Sequence, residues 1–377
     1  MSRLSQSART IEATGLFLGM LIGAGMFALP YTFLKGGFIW SSSLFILVLG
    51  LSLLLHRLYA AVIYITPGKH RFGGYAKIYL GDRAEKIAFL FTFISFEGVM
   101  LAYGVLAGEF LEALTGMPAL LSGSVFMLLG GFLFFLSLDS VAKIDFYLSL
   151  FLFLFVIFLT FKLLPFFDSS NLFAYVQPDY FLPYGIFLFA FGAYSALPDV
   201  HDVLGGESSK SYKKIISLGL CFGALFYLIF SLSILGALGA SVSKNAFKGL
   251  ENILGKGTIA MGSLIGLLVI LRTYIALGAD LKLAFKYDYR VPPIPAWLFT
   301  FLPSFLLFIL GFSNLIEILH FVGAVGLGIF GVFIILMAWS ERKKVSEFLG
   351  FKLRLWWIFP LAALILIGAF REVITLF

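Results

Sequence analysis

Apolar runs of roughly 18 residues or more, the length that carries a helix across the hydrocarbon core of a bilayer, recur through almost the whole chain. They fall at about 12–33, 38–64, 85–114, 119–138, 143–164, 182–200, 215–240, 258–284, 295–313, 315–339 and 356–377, about eleven in all. Hydrocarbon offers no water to backbone N–H and C=O groups, so such runs must satisfy those groups internally, as helices. The expected fold class is therefore an all-α integral membrane protein, one transmembrane domain over residues 1–377. Only 12% of residues are charged, against about 25% in soluble domains. The longest connections, at about 66–83, 165–181 and 241–257, leave no room for a soluble domain.

The leading segment "MSRLSQSARTIEATG" runs into an apolar stretch without a small-residue cleavage site, and reads as the start of a retained helix. An odd number of spans puts the termini on opposite sides. With the amino terminus inside, 19 Lys and Arg residues lie on the inner side and six outside, which matches the positive-inside rule. The expectation is a multi-pass plasma (inner) membrane protein with a cytoplasmic amino terminus and an extracellular or periplasmic carboxyl terminus. This asymmetry accounts for the net charge of +7, so the charge implies no nucleic-acid partner; the lipid bilayer is the implied surroundings. A single cysteine, Cys221, rules out an intramolecular disulfide.

Two of the apolar runs are interrupted. "LIGAGMFALPY" at residues 21–31 carries Gly23, Gly25 and Pro30, and "FGAYSALPDV" at 191–200 again reaches Ala-Leu-Pro after small residues, 168 positions later. Irregular backbone survives at membrane depth only where protein or a water-filled cavity covers it. The two runs are the first and sixth, so they open two sets of five spans (about 10–165 and 180–340), with an extra eleventh at about 355–377. Because five is odd, matching helices cross in opposite directions, the inverted repeat of many secondary transporters, in which interrupted segments at matching positions mark the substrate site. Free N–H ends with partial positive charge, facing carbonyl ends with partial negative charge, suit a zwitterion. The competing reading of Gly23 and Gly25 is close helix packing.

"IGAGMFALPY", the loop "RFGGYAKIYLG" at 71–81 and "FAFGAYSALPDV" at 189–200 resemble the amino acid/auxin permease family, most nearly its hydroxy and aromatic amino acid permease branch, within the amino acid-polyamine-organocation superfamily. The resemblance implies a LeuT-type five-plus-five fold with discontinuous first and sixth helices, and amino acid uptake coupled to protons or sodium. It further implies that the backbone of Ile22, Gly23, Ala24, Gly25 and Met26 holds the substrate carboxylate. Carbonyls of Phe189, Ala190 and Phe191 would take the ammonium, with Gly192, Ala193, Tyr194 and Ser195 lining the pocket. Where that branch often has histidine in its sixth span, this chain has Tyr194.

Ionisable residues inside spans are functional hypotheses by default. Arg272, midway along the eighth run, needs a carboxylate or carbonyl partners. Sodium-coupled relatives of this fold present hydroxyl oxygens from the eighth span to a cation beside the first, and Arg272-Thr273 falls near that place. A guanidinium there acts as a built-in cation and points to proton coupling. Glu97, deep in the third run, is either a proton-linked carboxylate or the static ion-pair partner of Arg272. Tyr103 faces the opening between the third and first spans, and Glu109 the outer vestibule. His56 and Arg57 are expected to snorkel to the inner surface, and Asp199, His201 and Asp202 to form either a solvated helix end or an inner gate. "SKNAFKGLENILGKG" at 243–257 reads as a short amphipathic lid helix with Phe247, Leu250 and Leu254 on one face.

Together these features predict a secondary transporter of neutral, aromatic or aliphatic amino acids working by alternating access. It needs no cofactor or metal and is not an enzyme; its coupling ion is a proton. A sodium-coupled symporter and an exchanger are the alternatives within the class. A channel needs a repeated filter of carbonyls or charges, and no such repeat stands in the sequence.

Overall fold

A computed structural model describes residues 6–134, 141–205 and 209–375. The expected end of the fourth span at 135–138, Arg3, and the last two residues of the eleventh span lie outside them. The described residues form sixteen helices joined by short connections. The first span is two helices, α1 (Gln6–Leu21) and α2 (Gly25–Gly36), bent by 49° at the break between them. The second is α3 (Phe38–Ile65); a short α4 (Phe72–Leu80) follows in the loop, then α5 (Asp82–Thr115), α6 (Ala119–Leu133) and α7 (Val141–Leu163) supply the third to fifth spans. The sixth is again broken, into α8 (Leu182–Ala190) and α9 (Ala196–Leu204). Next come α10 (Ser209–Leu238), α11 (Glu251–Asp288) and α12 (Pro293–Ile309). The tenth span joins α13 (Leu315–Phe321) to α14 (Gly328–Ser340) through a π-helical turn at Val322–Leu327. A surface helix α15 (Arg342–Leu349) precedes the eleventh span, α16 (Leu355–Thr375). Among the described residues, six helical spans are individually long and apolar enough to cross a membrane, and the bent α1–α2 pair makes a seventh.

The packing obeys an inverted repeat. The broken spans face one another, α1 against α9 and α2 against α8. Exchanging the halves exchanges the contacts: α1 packs on α7 of its own half, as α8 packs on α13 and the π-helical turn of the second. Likewise α2 rests on α10 as α9 rests on α3, and the third and eighth spans, α5 and α11, pair with each other across the axis. The eleventh span lies outside this scheme, against α14 and the π-helical turn. Five-helix halves of opposite direction, each opening with a broken helix, are thus the architecture.

Lipid tails are as apolar as leucine, so van der Waals contact rather than hydrophobic expulsion holds such helices together, and small residues allow the closest approach. The α5–α6 seam shows it. A Cβ at Gly108 would lie 2.5 Å from the backbone oxygen of Ala119, and one at Gly123 would lie 2.7 Å from the backbone oxygen of Gly104. Neither obstacle is a side chain that can turn away. Gly50, on α3, has open space around it. Gly108→Ala is expected to destabilise the protein by about 1–3 kcal/mol through overpacking, while Gly50→Ala is neutral or slightly stabilising because alanine is the better helix former. Thermal unfolding of the two variants in detergent checks the difference.

Candidate functional site

The first break follows from glycine and from what its neighbours' carbonyls do. In an unbroken helix the Gly25 N–H would take Leu21 O; instead Leu21 O accepts the Gly23 N–H at 3.1 Å and the Tyr227 hydroxyl at 2.5 Å. The chain unwinds at 22–24 and restarts at Gly25, with short-range bonds from Met26 N–H to Gly23 O and from Phe27 N–H to Ala24 O. Pro30 lies further along, inside α2, and is not itself the break. The second break repeats the logic. Asp179 starts α8 by accepting the N–H groups of Phe181 and Leu182, each at 3.1 Å. The helix stops at Ala190, and α9 begins at Ala196 with Pro198 in its first turn, where a missing N–H does no harm.

Between the breaks lies a cavity. Its wall includes Gly23, Ala24, Gly25, Tyr103, Phe189, Ala190, Gly192, Tyr194 and Ser195, all expected from the sequence. Ile22, Met26, Phe191 and Ala193 share the same unwound segments but are not part of that wall; their side chains are buried in helix packing. The wall also takes Ser95, Phe96 and Val99 from α5, Leu277 from α11, Leu327 from the π-helical turn and Phe330 from α14. Sequence spacing does not single these out, although Ser95, Phe96, Val99 and Tyr103 share one face of α5 at helical intervals. A Cβ at Gly23 would lie 3.1 Å from the Tyr103 hydroxyl, and one at Gly25 would lie 3.0–3.2 Å from Phe189 and Ala190, so both glycines clear the cavity. The N-terminal ends of α2 and α9 bring partial positive charge to it, and the C-terminal ends of α1 and α8 partial negative charge, about half an elementary charge each. A small zwitterion with an apolar side chain matches that arrangement.

Arg272 is buried on α11, and its guanidinium donates to the carbonyl of Gly19, in the last turn of α1. Thr273 beside it returns its hydroxyl to Val269 O at 2.9 Å, and Tyr103 faces both residues. Arg272 therefore takes a carbonyl partner, one of the two kinds expected. The ion pair with Glu97 does not form. Glu97 points from the opposite side of α5 to α12, where its carboxylate accepts the backbone N–H of Ser304 at 2.9 Å, just after Pro303. Its other oxygen, Oε1, is buried without a hydrogen-bond partner.

His56 does not snorkel. It is fully buried, bonded to Ser52 O at 2.8 Å, and its ring stacks on Tyr194 at 4.0 Å. Tyr194 stacks in turn on Phe330, and Phe330 on Phe72 of α4 with ring centroids 3.4 Å apart. An aromatic column thus runs from the site to the loop at the lysine- and arginine-rich end of the bundle. Arg57 instead reaches sideways to the Ser217 hydroxyl at 3.0 Å.

Side chains are packed toward both ends of the bundle beyond the cavity. Toward the basic end a second hollow shares Phe96, Ser195 and Phe330 with the first, and Arg71 closes it, paired with Asp199 at 3.1 Å and Asp280 at 3.0 Å. The Asp280 and Asp199 carboxylates hold the Arg71 guanidinium in its charged form more firmly than usual. Lys69 pairs with Asp202 at 2.7 Å. Asp199 and Asp202 are therefore both ion-paired to the loop that precedes α4, Asp202 at the exposed surface. Toward the far end the packing is aromatic: Phe247 packs against Phe27 and Phe110, with centroids at 5.4 and 5.6 Å. Of the expected lid helix only a turn from Glu251 forms, ended by non-helical backbone at Gly255 (φ 76°) before the eighth span continues; the segment before it is a series of turns. Asn245 organises them, accepting the N–H groups of Phe247 and Lys248 at 3.2 Å and donating to Glu109 at 2.8 Å. Ala246, between them, has a left-handed backbone with φ 68°.

Over residues 6–372 the chain matches the model of the tryptophan/tyrosine permease family. No individual curated protein matches it in sequence. Among solved structures it is similar to MhsT in complex with L-phenylalanine, at 17% identity and a TM-score of 0.72, over 97% of this chain and 98% of that one. It is also similar to the nucleobase-cation-symport-1 family transporter MHP1 with bromovinylhydantoin bound, at 12% identity and a TM-score of 0.66, over 87% and 77% of the two chains. A third is the Eremococcus coleocola manganese transporter in complex with an aromatic bis-isothiourea compound, at 12% identity and a TM-score of 0.65, over 100% and 87%. At these identities the likeness is one of fold, the LeuT-type five-plus-five arrangement.

Two outcomes follow from this geometry. Gly25→Leu places a side chain against Phe189 and Ala190 and is expected to abolish amino acid binding in a protein that still folds; scintillation proximity binding on the monodisperse variant measures it. Arg71→Ala removes the group that holds Asp199 and Asp280 together. A cysteine introduced at Ser195, in a Cys221→Ser background, is then expected to react faster with a thiol reagent applied at the basic end than it does with Arg71 intact.

Proposed function

The chain belongs to the tryptophan/tyrosine permease family, a multi-pass membrane transporter of amino acids and not an enzyme, and from that premise we propose that it is a proton-coupled symporter of neutral aromatic amino acids. The observation that carries this reading is the pair of matched helix breaks facing one another across a cavity whose wall includes Phe96, Phe189 and Phe330. The carboxylate is bound by the backbone at 22–26, where α2 begins, and the ammonium by carbonyls at 189–191, where α8 ends. The side chain lies among Phe96, Val99, Phe189, Leu327 and Phe330, and Tyr103 approaches the carboxylate. The complex of MhsT with L-phenylalanine and the resemblance to the hydroxy and aromatic amino acid branch favour an aromatic ligand.

Transport proceeds by alternating access. The Arg71 network opens one side and the Phe247 lid the other, never both together. The basic end faces the cytoplasm of a plasma (inner) membrane.

Coupling is to protons. The Arg272 guanidinium beside the Gly19 carbonyl occupies the neighbourhood in which a sodium ion between the first and eighth spans would sit. Two unit charges about 4 Å apart repel by roughly 4 kcal/mol at an effective dielectric of about 20. Thr273 and Tyr103 complete the surroundings of that fixed cation. Glu97 is the proton-linked carboxylate: it is buried, with one oxygen held by Ser304 and the other without a partner. Protonation there changes how α5 is tied to α12, giving two states that substrate can select between.

Proteoliposomes loaded with matched salt decide the coupling ion. An inward proton gradient is expected to drive concentrative tryptophan or tyrosine uptake, and a sodium gradient alone is expected to drive none. Concentrative uptake on sodium alone overturns the built-in-cation reading. Proton-driven uptake that survives Glu97→Gln removes Glu97 from the mechanism and leaves Arg272 in place.

A further inference from the structure

The seventh span contributes one polar side chain to the heart of this arrangement. Tyr227, on α10, is fully buried, and its hydroxyl lies 2.5 Å from Leu21 O and 3.1 Å from Ala190 O. Those are the last residues of α1 and α8, one from each broken span. Both carbonyls stand at the negative end of a half-helix, where the dipole of the preceding turns accumulates. Carbonyls so placed, at the ends of discontinuous helices, are what transporters of this design use to hold a coupling cation. Here a phenol stands between them, and a hydroxyl carries one proton. Leu21 O takes that proton in the shorter bond, and Ala190 O shares it at longer range.

The ring is fixed well enough for that task. It packs on Phe191 at 5.9 Å, and Phe191 itself leans on Phe45 at 5.1 Å. Leu21 O is then fully used, by Tyr227 and by the Gly23 N–H. Ala190 O takes the longer bond, and Ala190 lines the cavity.

We propose that Tyr227 is a positioning residue that clasps the two broken spans together at the substrate site, its hydroxyl doing for Leu21 O and Ala190 O what a bound cation does at such carbonyl pairs. The substrate site is then assembled without an inorganic ion. The two bonds also set an order of release. When α1 and α8 separate, the longer bond to Ala190 O yields first, and Tyr227 stays with α1. The clasp itself rests on the two helix breaks alone; only its consequence for substrate affinity rests on the function proposed above.

The full chain in lipid nanodiscs tests it with Tyr227→Phe, which removes the hydroxyl and keeps the ring. Loss of one buried hydrogen bond is expected to raise amide hydrogen exchange in peptides spanning residues 21–26 and 188–195 by about tenfold and to weaken tryptophan binding by a similar factor. Exchange at the α5–α6 seam stays as in the unmodified chain. A second variant, Tyr227→Asn, opens space beside the two carbonyls and offers an amide oxygen. Its tryptophan affinity is expected to recover in sodium chloride relative to choline chloride, whereas the unmodified chain and Tyr227→Phe respond to neither salt. A purely structural tyrosine does not produce that sodium rescue. Tyr227→Phe that exchanges and binds within about twofold of the unmodified chain overturns the clasp. A folded Tyr227→Asn that behaves alike in both salts overturns its equivalence to a cation. Faster exchange in Tyr227→Phe, in a chain that binds no aromatic amino acid even unmodified, supports the clasp and overturns the proposed substrate.

Discussion

A helix that unwinds at membrane depth must find new partners for its backbone, and the rest of this structure is arranged around supplying them. An unsatisfied N–H or C=O in hydrocarbon costs several kcal/mol, and the chain has two breaks to provide for. Part of the answer is local. At 22–24 and 191–195 the backbone bonds to itself at shorter range. The remainder comes from side chains on other spans: Tyr227 from the seventh to Leu21 O and Ala190 O, Arg272 from the eighth to Gly19 O. The broken spans are thereby stitched to the helices that surround them. The N-terminal ends of α2 and α9 remain directed at the cavity.

The two closures differ in chemistry for a physical reason. At the basic end charged groups pair, Lys69 with Asp202 at the exposed surface and Arg71 with Asp199 and Asp280 further in. Beneath it the column from Phe72 through Phe330 and Tyr194 to His56 carries the contact into the dry interior, where unpaired charge is costly. At the far end Phe247 fills the space above the site with rings from α2 and α5, and only its rim, Asn245 with Glu109, is polar.

How much of this was legible in the sequence depends on the range of the interaction. Span length and apolar periodicity are local, and they place the helices, the two halves and both breaks to within a few residues. The breaks were expected from Gly23, Gly25 and Pro30, yet it is the glycines at which the helix unwinds, while Pro30 rides inside α2. Partnerships between distant spans leave no such trace. His56 reads as a snorkelling residue because its position near one end of α3 is visible and Tyr194, which covers it, is not. Glu97 and Arg272 sit at similar depth on neighbouring helices, so an ion pair was a reasonable expectation. Side-chain direction decides otherwise, turning one to Ser304 and the other to Gly19. Tyr227 has no distinguishing mark among sixteen tyrosines; only the folded chain brings Leu21 and Ala190 to its hydroxyl.

The lid carries a tension of its own. Ala246 holds a left-handed backbone with φ 68°, a conformation that disfavours an L-residue with a side chain by roughly 1–2 kcal/mol. Asn245 spans it through the bonds to Phe247, Lys248 and Glu109, and Phe247 is seated besides by its ring contacts with Phe27 and Phe110. Ala246 is thus the least favourable link of the turn, held by the bonds that Asn245 makes around it while Phe247 sits against Phe27 and Phe110.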